Sequence, residues 1–215
     1  MEADEPDRRR RLRALQGDLC GPVLPGAAEV RVRVLRRGNN QSNLYAELSA
    51  PGSTEILAAA TAVLSPPRTT HAHAGFLAPP LPSDWREIAP LSLRAPSAAV
   101  FTQHYLYRDA GSTAQAVQGW IAESAPPAKL DAAAVIGRLD AWWPTLFQLE
   151  GPRPCATVSF TAEFLTDPAA LAPDEPLRYR AMMAGMSDGF FVELRELWQG
   201  GRPVALNQQT FAILK

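Results

Sequence analysis

Residues 130–147 read LDAAAVIGRLDAWWPTLF, and this stretch decides the fold class of the chain. Alanine favours helix, and Asp131 suits a first turn because its negative charge interacts well with the helix dipole. Pro144 kinks or ends the helix, since proline lacks an amide hydrogen and its ring clashes with the preceding turn. The apolar side chains lie near one helix face: Leu130, Ala134, Val135, Leu139, Trp142, Trp143 and Leu146. We therefore predict one helix with a single apolar face.

Strand patterns flank this helix on both sides. Alternating apolar and polar residues, bounded by turn residues, are typical of half-buried strands. The predicted strands are Val100–Tyr107 and Thr113–Ser124 before the helix, and Thr157–Leu165, Leu177–Met186, Phe190–Trp198 and Pro203–Leu214 after it. A single apolar helix against an antiparallel sheet is an α+β layer architecture.

A similar meander occupies the first part of the chain. Valine alternates with arginine in Glu29–Leu35, and the predicted strands Asn43–Ser49 and Ile56–Leu64 follow after turns that contain glycine. The two meanders have similar lengths and similar turns, which indicates an internal duplication. Leu19–Val23 stands where a strand before the first meander is expected, much shortened. Only the second half contains a convincing helix.

A proline-rich segment, residues 65–96, separates the two halves. It shows neither the period of a strand nor that of a helix, and its prolines remove hydrogen-bond donors and fix φ. The predicted organisation is therefore a reduced N-terminal half over 1–64, a linker over 65–96 and a C-terminal domain over 97–215.

Composition excludes several classes of protein. Of the 215 residues 47% are hydrophobic, and the net charge is -1, which is too apolar and too weakly charged for a disordered chain. A charge so near zero gives no whole-chain attraction to nucleic acid or to an anionic membrane. No apolar stretch approaches the roughly 20 residues of a membrane span, and no secretory signal follows the first arginines. We expect a cytoplasmic protein in which Cys20 and Cys155 are reduced, buried thiols.

Four stretches, in their order and spacing, resemble one known family. They are PGAAEVRVRVLRRGNNQSNLYAELSA (25–50), GWIAESAPPAKLDAAAVIGRLDAWWPTLF (119–147), ATVSFTAEFL (156–165) and GGRPVALNQQTFAIL (200–214). Together they resemble the acyl-CoA thioesterase II family, over most of the chain from about Leu12 to Lys215. The resemblance implies a tandem (double) hotdog fold, with antiparallel sheets that wrap a central helix, and hydrolysis of acyl-CoA thioesters.

The resemblance also implies three catalytic residues in the second half. Asp140 in GRLDAWWP matches the family's helix aspartate, and Thr157 in CATVSF matches its threonine or serine. Gln209 in ALNQQTF matches its glutamine, with Gln208 as a one-residue alternative. The corresponding first-half strand, around Ala58–Thr61, has no glutamine, so only the second half carries the full set. The expected partner is an acyl-CoA substrate, with no cofactor, metal, nucleic acid or membrane.

These residue types suit thioester hydrolysis. The reaction needs a water directed at the carbonyl carbon, a group that takes its proton and donors for the developing oxyanion. Asp140 serves as the base or holds the water, and the hydroxyl and amide of Thr157 and Gln209 position it. The alternatives are structural: a helix-surface carboxylate, an ordinary strand threonine, and an amide that needs partners among apolar neighbours. Ile136 and Trp143, at helical spacing, would set Asp140 at the edge of the buried stripe.

One departure from the family pattern concerns the first half. A hotdog normally opens with a strand and a central helix, but here the segment MEADEPDRRRRLR stands in that region. We interpret it as a frayed terminal helix or a contact for the phosphates of coenzyme A. Without its helix, the sheet around Val30, Val32, Val34 and Ile56–Leu64 would expose an apolar face. We therefore expect a homo-oligomer, with that face covered by a second subunit or by the linker through Phe76 and Trp85.

The same departure leaves rival functions open. A chain that has lost its pocket would be a non-catalytic acyl-CoA-binding or interaction protein. A hotdog hydratase would pair the aspartate with a histidine, which the predicted helix lacks. The G-x-S-x-G match at residues 185–189 is followed by a strand pattern rather than a helix, and no histidine follows His104, which argues against a Ser187 nucleophile. His71 and His73 have no third metal ligand nearby in the sequence.

Overall fold

Ten strands form one antiparallel sheet in the part of the chain that the computed structural model describes, residues 1–69, 84–91 and 100–214. In chain order the strands are β1 (Arg11–Leu19), β2 (Glu29–Arg37), β3 (Ser42–Ser49), β4 (Ala58–Ser65), β5 (Tyr105–Asp109), β6 (Ala116–Glu123), β7 (Cys155–Phe164), β8 (Leu177–Ser187), β9 (Phe190–Gln199) and β10 (Arg202–Ile213). The helices α1 (Ala132–Asp140) and α2 (Leu146–Glu150) lie between β6 and β7 in the chain. The α+β class is confirmed.

The order of the strands reveals two related halves. Across the sheet the order is β2-β3-β4-β1-β7-β10-β9-β8-β6-β5. The first half, β2-β3-β4-β1, repeats the arrangement β8-β9-β10-β7 of the second half. The halves join where β1 pairs antiparallel with β7, with Gln16 opposite Thr161. This arrangement agrees with the internal duplication predicted from the two meanders.

The first strand begins earlier than the sequence predicts. Arg11–Leu19 is a full strand, so the predictions of a short strand at Leu19–Val23 and of a terminal helix over the arginines were wrong. Arg10, which precedes the strand, is buried and donates to the carbonyl oxygens of Gly38 (2.7 Å) and Asn39 (3.0 Å). The strand is stabilised by ladders to β4 on one side and β7 on the other. These long-range ladders leave little trace in the local apolar pattern.

The predicted central helix exists but is divided. Asp131 caps α1, because its carboxylate accepts a hydrogen bond of 2.8 Å from the backbone N–H of Ala134. The helix ends at Asp140, four residues before the kink or end predicted at Pro144, and α2 begins at Leu146. The region Val100–His104, predicted as strand, is a 3₁₀ helix that precedes β5.

The core of the second half lies between α1 and the sheet. α1 contacts β9 and β10, and its residues Val135 and Leu139 are fully buried. After α1, Trp142 stacks on Tyr179 with ring centroids 4.9 Å apart. A side chain at Gly119 would put its Cβ 2.7 Å from the Trp142 ring, so β6 requires glycine at this position. Trp142, predicted to lie on the apolar face of the helix, is a buried core residue.

The first half has no α-helix over its sheet. Residues 1–69, all of which are described, contain strands and one short 3₁₀ turn. In consequence, apolar side chains of this half remain exposed, among them Val30 (62%), Leu19 (46%) and Val34 (41%). β2 is also an edge of the sheet, whereas its counterpart β8 pairs with β6. The fold is therefore a tandem hotdog in which the first half lacks its helix.

The described part of the linker does not cover this face. The guanidinium of Arg108 on β5 lies 5.5 Å from the ring centroid of Trp85, and Leu91 donates a 2.7 Å backbone hydrogen bond to Tyr107. β5 is the opposite edge of the sheet from β2. The prediction that Trp85 covers the first half was therefore wrong, and Phe76, His71 and His73 lie outside the described residues.

The two cysteines are less buried than the sequence predicts. Both are free thiols, but Cys20 is exposed and Cys155 is only half-buried, so the prediction of two buried thiols was wrong. Among the residues that the structure describes, no helix is long and apolar enough to cross a membrane.

Candidate active site

Asp140, Thr157 and Gln209 come from three elements and meet at one point. Asp140 is the last residue of α1, Thr157 lies on β7 and Gln209 lies on β10. The amide nitrogen Nε2 of Gln209 is 2.7 Å from Oδ1 of Asp140 and 2.7 Å from Oγ1 of Thr157. β7 and β10 are neighbours in the sheet, and α1 packs against β10. The fold thus brings together all three residues that the sequence predicts.

The donors and acceptors of this cluster determine the direction of each hydrogen bond. An ionised carboxylate can only accept, so the NH₂ group of Gln209 faces Asp140. The second hydrogen of the same group goes to Thr157, whose oxygen therefore acts as an acceptor. Both amide hydrogens of Gln209 are then engaged. Within the part of the chain that the structure describes, the hydroxyl hydrogen of Thr157 and the oxygen Oδ2 of Asp140 have no hydrogen-bond partner and remain for another molecule.

The three side chains differ in their exposure. Gln209 is fully buried, Thr157 is half-buried and Asp140 is exposed. Gln208 is also exposed, and its backbone N–H donates to Thr161 Oγ1 over 3.1 Å. Because neighbouring strand residues point to opposite faces, only Gln209 can reach Asp140. The structure therefore decides between the two glutamines that the sequence left open.

A groove of about 310 Å³ opens beside the cluster. The second half contributes Ile136, Asp140, Thr157 and Phe160 to its walls. The first half contributes two acidic residues, Asp18 and Glu47, but mostly apolar or small residues: Leu15, Gly17, Leu19, Val30, Ala46, Leu48, Ala58, Ala59 and Ala60. The groove thus lies where the two halves meet, between α1 and the strands of the first half. A carboxylate and a hydroxyl therefore face a largely apolar space.

Two family models match this chain. The acyl-CoA thioesterase N-terminal domain matches residues 1–65, and the acyl-CoA thioesterase C-terminal domain matches residues 75–213, more than half of the chain. The chain belongs to the acyl-CoA thioesterase family. Membership confirms the predicted family and identifies the chain as a thioester hydrolase that acts on acyl-CoA esters. Comparison with curated protein sequences gives no match.

Solved structures share the fold of this family member. A conserved hotdog protein of unknown function from Alicyclobacillus acidocaldarius is 24% identical, with a TM-score of 0.89 over 100% of this chain and 83% of the other. An acyl-CoA thioesterase II from Mycobacterium marinum is 16% identical, with a TM-score of 0.76 over 97% of this chain and 82% of the other. At such identities the likeness concerns the fold alone, and it confirms the hotdog class.

In this family member a buried charged network adjoins the cluster. Glu193 and Arg195 lie on β9 with 0% and 1% of their surface exposed. Arg195 Nε donates to Glu193 Oε2 over 3.0 Å, and its Nη2 lies 2.9 Å from the same oxygen. Burial lowers the pKa of Arg195, but Tyr179, Glu193 and Asp140 raise it overall. The guanidinium therefore stays positive inside the protein.

This network also holds the segment that follows α1. Glu193 Oε1 accepts hydrogen bonds from the backbone N–H (2.5 Å) and the hydroxyl (2.7 Å) of Thr145. In a continuous helix that N–H would instead bond to the carbonyl four residues earlier. Pro144 has no N–H to contribute. Together these two effects explain why the predicted helix divides into α1 and α2.

Glu193 and Arg195 were not predicted as functional residues, although the sequence contains a signal for them. β9 alternates, so Glu193 and Arg195 share a face with Phe191 and Leu197, which are buried. Two opposite charges two residues apart on an apolar strand face predict a buried ion pair. The pattern does not reveal what the pair contacts, because Thr145 and the end of α1 lie far away in the sequence.

Other candidates from the sequence lie away from the cluster. Ser187 ends β8 at a tight turn, in which Asp188 (φ 53°) and Gly189 (φ 80°) have left-handed backbones. β9 follows that turn, so the strand-to-helix elbow of a serine hydrolase is absent at this site. His104 is an exposed residue at the end of a 3₁₀ helix. Arg11, within the predicted phosphate contact, pairs with Asp167 at 3.4 Å.

Proposed function

We propose that this chain hydrolyses acyl-CoA thioesters with a water molecule activated by Asp140, Thr157 and Gln209. One observation carries the proposal: Gln209 Nε2 bonds both Asp140 and Thr157 at 2.7 Å, beside an apolar groove. A structural role for Gln209 alone would not account for an exposed carboxylate and a free hydroxyl hydrogen facing the same space.

The hydrogen-bond directions suggest a role for each group. A water can donate one hydrogen to Oδ2 of Asp140 and accept the free hydroxyl hydrogen of Thr157. Its remaining lone pair is then available for attack on the thioester carbonyl carbon. Asp140 takes the proton as the C–O bond forms, and passes it to the sulfur as the C–S bond breaks. The products are the free acid and the coenzyme A thiol.

Gln209 acts by holding the other two groups. Its two amide hydrogens orient the carboxylate and the hydroxyl before substrate arrives, and its own burial prevents it from rotating freely. Such preorganised groups need no rearrangement during the reaction. Gln209 is therefore proposed as a residue that orients Asp140 and Thr157 rather than as the base.

The groove is proposed as the site of the acyl chain. Its first-half wall is formed mainly by small and aliphatic side chains, which suit hydrocarbon, although Asp18 and Glu47 also line it. At about 310 Å³ it stands near the lower end of small-molecule sites, so it suits the acyl part rather than the whole of acyl-CoA. Each methylene that it buries would contribute about 0.8 kcal/mol to binding.

We also propose that a second copy of the chain covers the open face of the first half. Val30 is 62% exposed and Val34 41%, and monomers seldom expose large apolar patches. The Trp85 segment packs at the opposite edge of the sheet, which removes one alternative cover. Light scattering at micromolar concentration should give at least a dimer. A monomer at that concentration would contradict the proposal.

A second candidate function is acyl-CoA binding without turnover. The exposure of Asp140 favours it, because a base open to solvent has less control over its water. The two candidates differ in one assay, the release of free thiol from a series of acyl-CoA chain lengths. Thiol release that disappears in Asp140→Asn supports the hydrolase. Saturable acyl-CoA binding with no thiol release at any chain length supports the binding protein.

A further inference from the structure

The main chain at Asp140 is attached to the sheet by the buried side chain of Arg195, and the next carbonyl, that of Ala141, accepts a 2.9 Å hydrogen bond from the buried hydroxyl of Tyr107 on β5. Arg195 Nη1 donates to the carbonyl oxygen of Leu139 over 3.0 Å and to that of Asp140 over 3.3 Å. These carbonyls belong to the last turn of α1, where the helix itself offers no partners. A positive charge at this end also interacts favourably with the helix dipole.

Arg195 is in turn immobilised from its other side. Glu193 accepts a hydrogen bond from its Nε and lies within ion-pair distance, 2.9 Å, of its Nη2, and the other carboxylate oxygen of Glu193 binds Thr145. The attachment points on the chain thus lie on both sides of the α1 terminus, at residues 139–140 and at residue 145. All three side chains are at least 99% buried, so water does not compete for these bonds.

The same strand pair also reaches the Asp140 side chain. Glu193 on β9 is directly opposite Gln209 on β10, and Asn207 is opposite Arg195. Gln209 therefore holds the carboxylate while Arg195 holds the carbonyl group of the same residue. A carboxylate at a helix end can turn away if the last turn frays, and this arrangement opposes fraying.

We propose that Arg195, fixed by Glu193, is a positioning residue that sets the direction of the Asp140 carboxylate toward Gln209 and Thr157. This inference rests on the proposed function, since it assigns a role in the same site. It concerns a residue that touches neither the groove nor the reacting atoms.

The test uses a double variant, Arg195→Met with Glu193→Gln, which removes the ion pair without leaving a buried charge unpaired. The matched control is Arg138→Met with Glu123→Gln. Arg138 is also 1% exposed, lies on α1 and pairs with Glu123 at 3.2 Å, but it donates to Ala134 rather than to the end of the helix. Both variants are also made in the Asp140→Asn background.

A positioning role predicts a particular kinetic pattern. The Arg195 double variant should lose roughly 10- to 100-fold in kcat with little change in KM, because misplacing a catalytic group by about 1 Å has effects of this size. In the Asp140→Asn background the same change should cause no further loss, since there is no base left to position. The Arg138 control should keep its kcat. An unchanged kcat, or an equal loss in both backgrounds, would overturn the inference.

Crystal structures of the two double variants provide a readout that does not depend on activity. The separation of Asp140 Oδ1 from Gln209 Nε2, 2.7 Å in the native chain, should exceed hydrogen-bond distance in the Arg195 variant and stay unchanged in the control. A retained hydrogen bond in the Arg195 variant overturns the inference. If Asp140→Asn keeps full activity, the proposed mechanism fails by itself, and these structures still decide the positioning role.

Discussion

Gln209 on β10 lies directly opposite Glu193 on β9, and both side chains are fully buried. Gln209 binds the carboxylate of Asp140. Glu193 fixes Arg195, which binds the carbonyl oxygen of Asp140. A single cross-strand pair therefore supports the side chain and the main chain of Asp140 together. The first three predictions below follow from this arrangement and from the groove beside it.

Replacement of Asp140 by asparagine should abolish most of the activity. The substitution keeps size and shape but removes the charge that accepts the proton, so kcat should fall by about 10²–10⁴. KM should change little, because the acyl chain binds elsewhere in the groove. Asp131→Asn is the matched control at the other end of α1, since asparagine caps a helix as well as aspartate does. Thiol-release kinetics that leave Asp140→Asn at the wild-type kcat would refute the mechanism.

The two orienting residues should have smaller effects. Thr157→Val removes the free hydroxyl hydrogen, and Gln209→Ala removes both bonds that hold the cluster. Each should lower kcat by roughly 10- to 1000-fold, the effect of one orienting or oxyanion-type donor. Thr157→Ser should retain most of the activity because it keeps the hydroxyl.

The exposed neighbour Gln208 supplies the control for Gln209. Gln208→Ala should leave kcat and KM unchanged, because its side chain points away from Asp140. Equal losses in Gln208→Ala and Gln209→Ala would contradict the assignment of the amide. Steady-state thiol release on the best acyl-CoA measures all of these variants.

Filling the groove should shorten the preferred acyl chain. Ala60 lines the groove, and Ala60→Phe would occupy part of its volume. KM should then rise for long acyl chains, by about fourfold for each methylene excluded at 0.8 kcal/mol, and stay constant for short ones. Ala184→Phe, on an exposed position of β8, is the control. An unaltered chain-length profile in Ala60→Phe would mean that the acyl chain lies elsewhere.

A stability prediction concerns the core beneath α1. Gly119→Ala would put a Cβ 2.7 Å from the Trp142 ring and even closer to the carbonyl oxygen of Arg108. Overpacking of this kind should lower the free energy of unfolding by about 1–3 kcal/mol. Gly185→Ala, at a strand position with nothing within 4 Å of the new Cβ, should have a much smaller effect. Urea denaturation measures the free energy of unfolding of both variants. Equal values would contradict the packing argument.

The strong local patterns of the sequence were sufficient to predict much of the fold. The alternation in Phe190–Trp198 and Leu177–Met186 predicted β9 and β8 within a residue or so of their bounds. The apolar stripe and Asp131 predicted the start of α1. These features depend on neighbours a few residues apart, which is the range over which periodicity and capping act.

Other features depended on partners far along the chain. β1 is a strand because β4 and β7 pair with it on both sides, and its arginines conceal this locally. Pro144 predicts locally that the helix is interrupted, but the bond from the Thr145 N–H to Glu193, 48 residues away, is visible only in the structure. A pattern search confined to one segment cannot detect either contact.

By itself, then, the sequence predicted the α+β class, the duplicated meander and, through its family resemblance, a candidate site of Asp140, Thr157 and either Gln209 or Gln208. Only the tertiary structure decided that Gln209 rather than Gln208 joins the other two, and that Arg195 and Glu193 support them. The physical reason is distance along the chain. Gln209 is 69 residues from Asp140, and such contacts are selected by strand register and helix packing rather than by local periodicity.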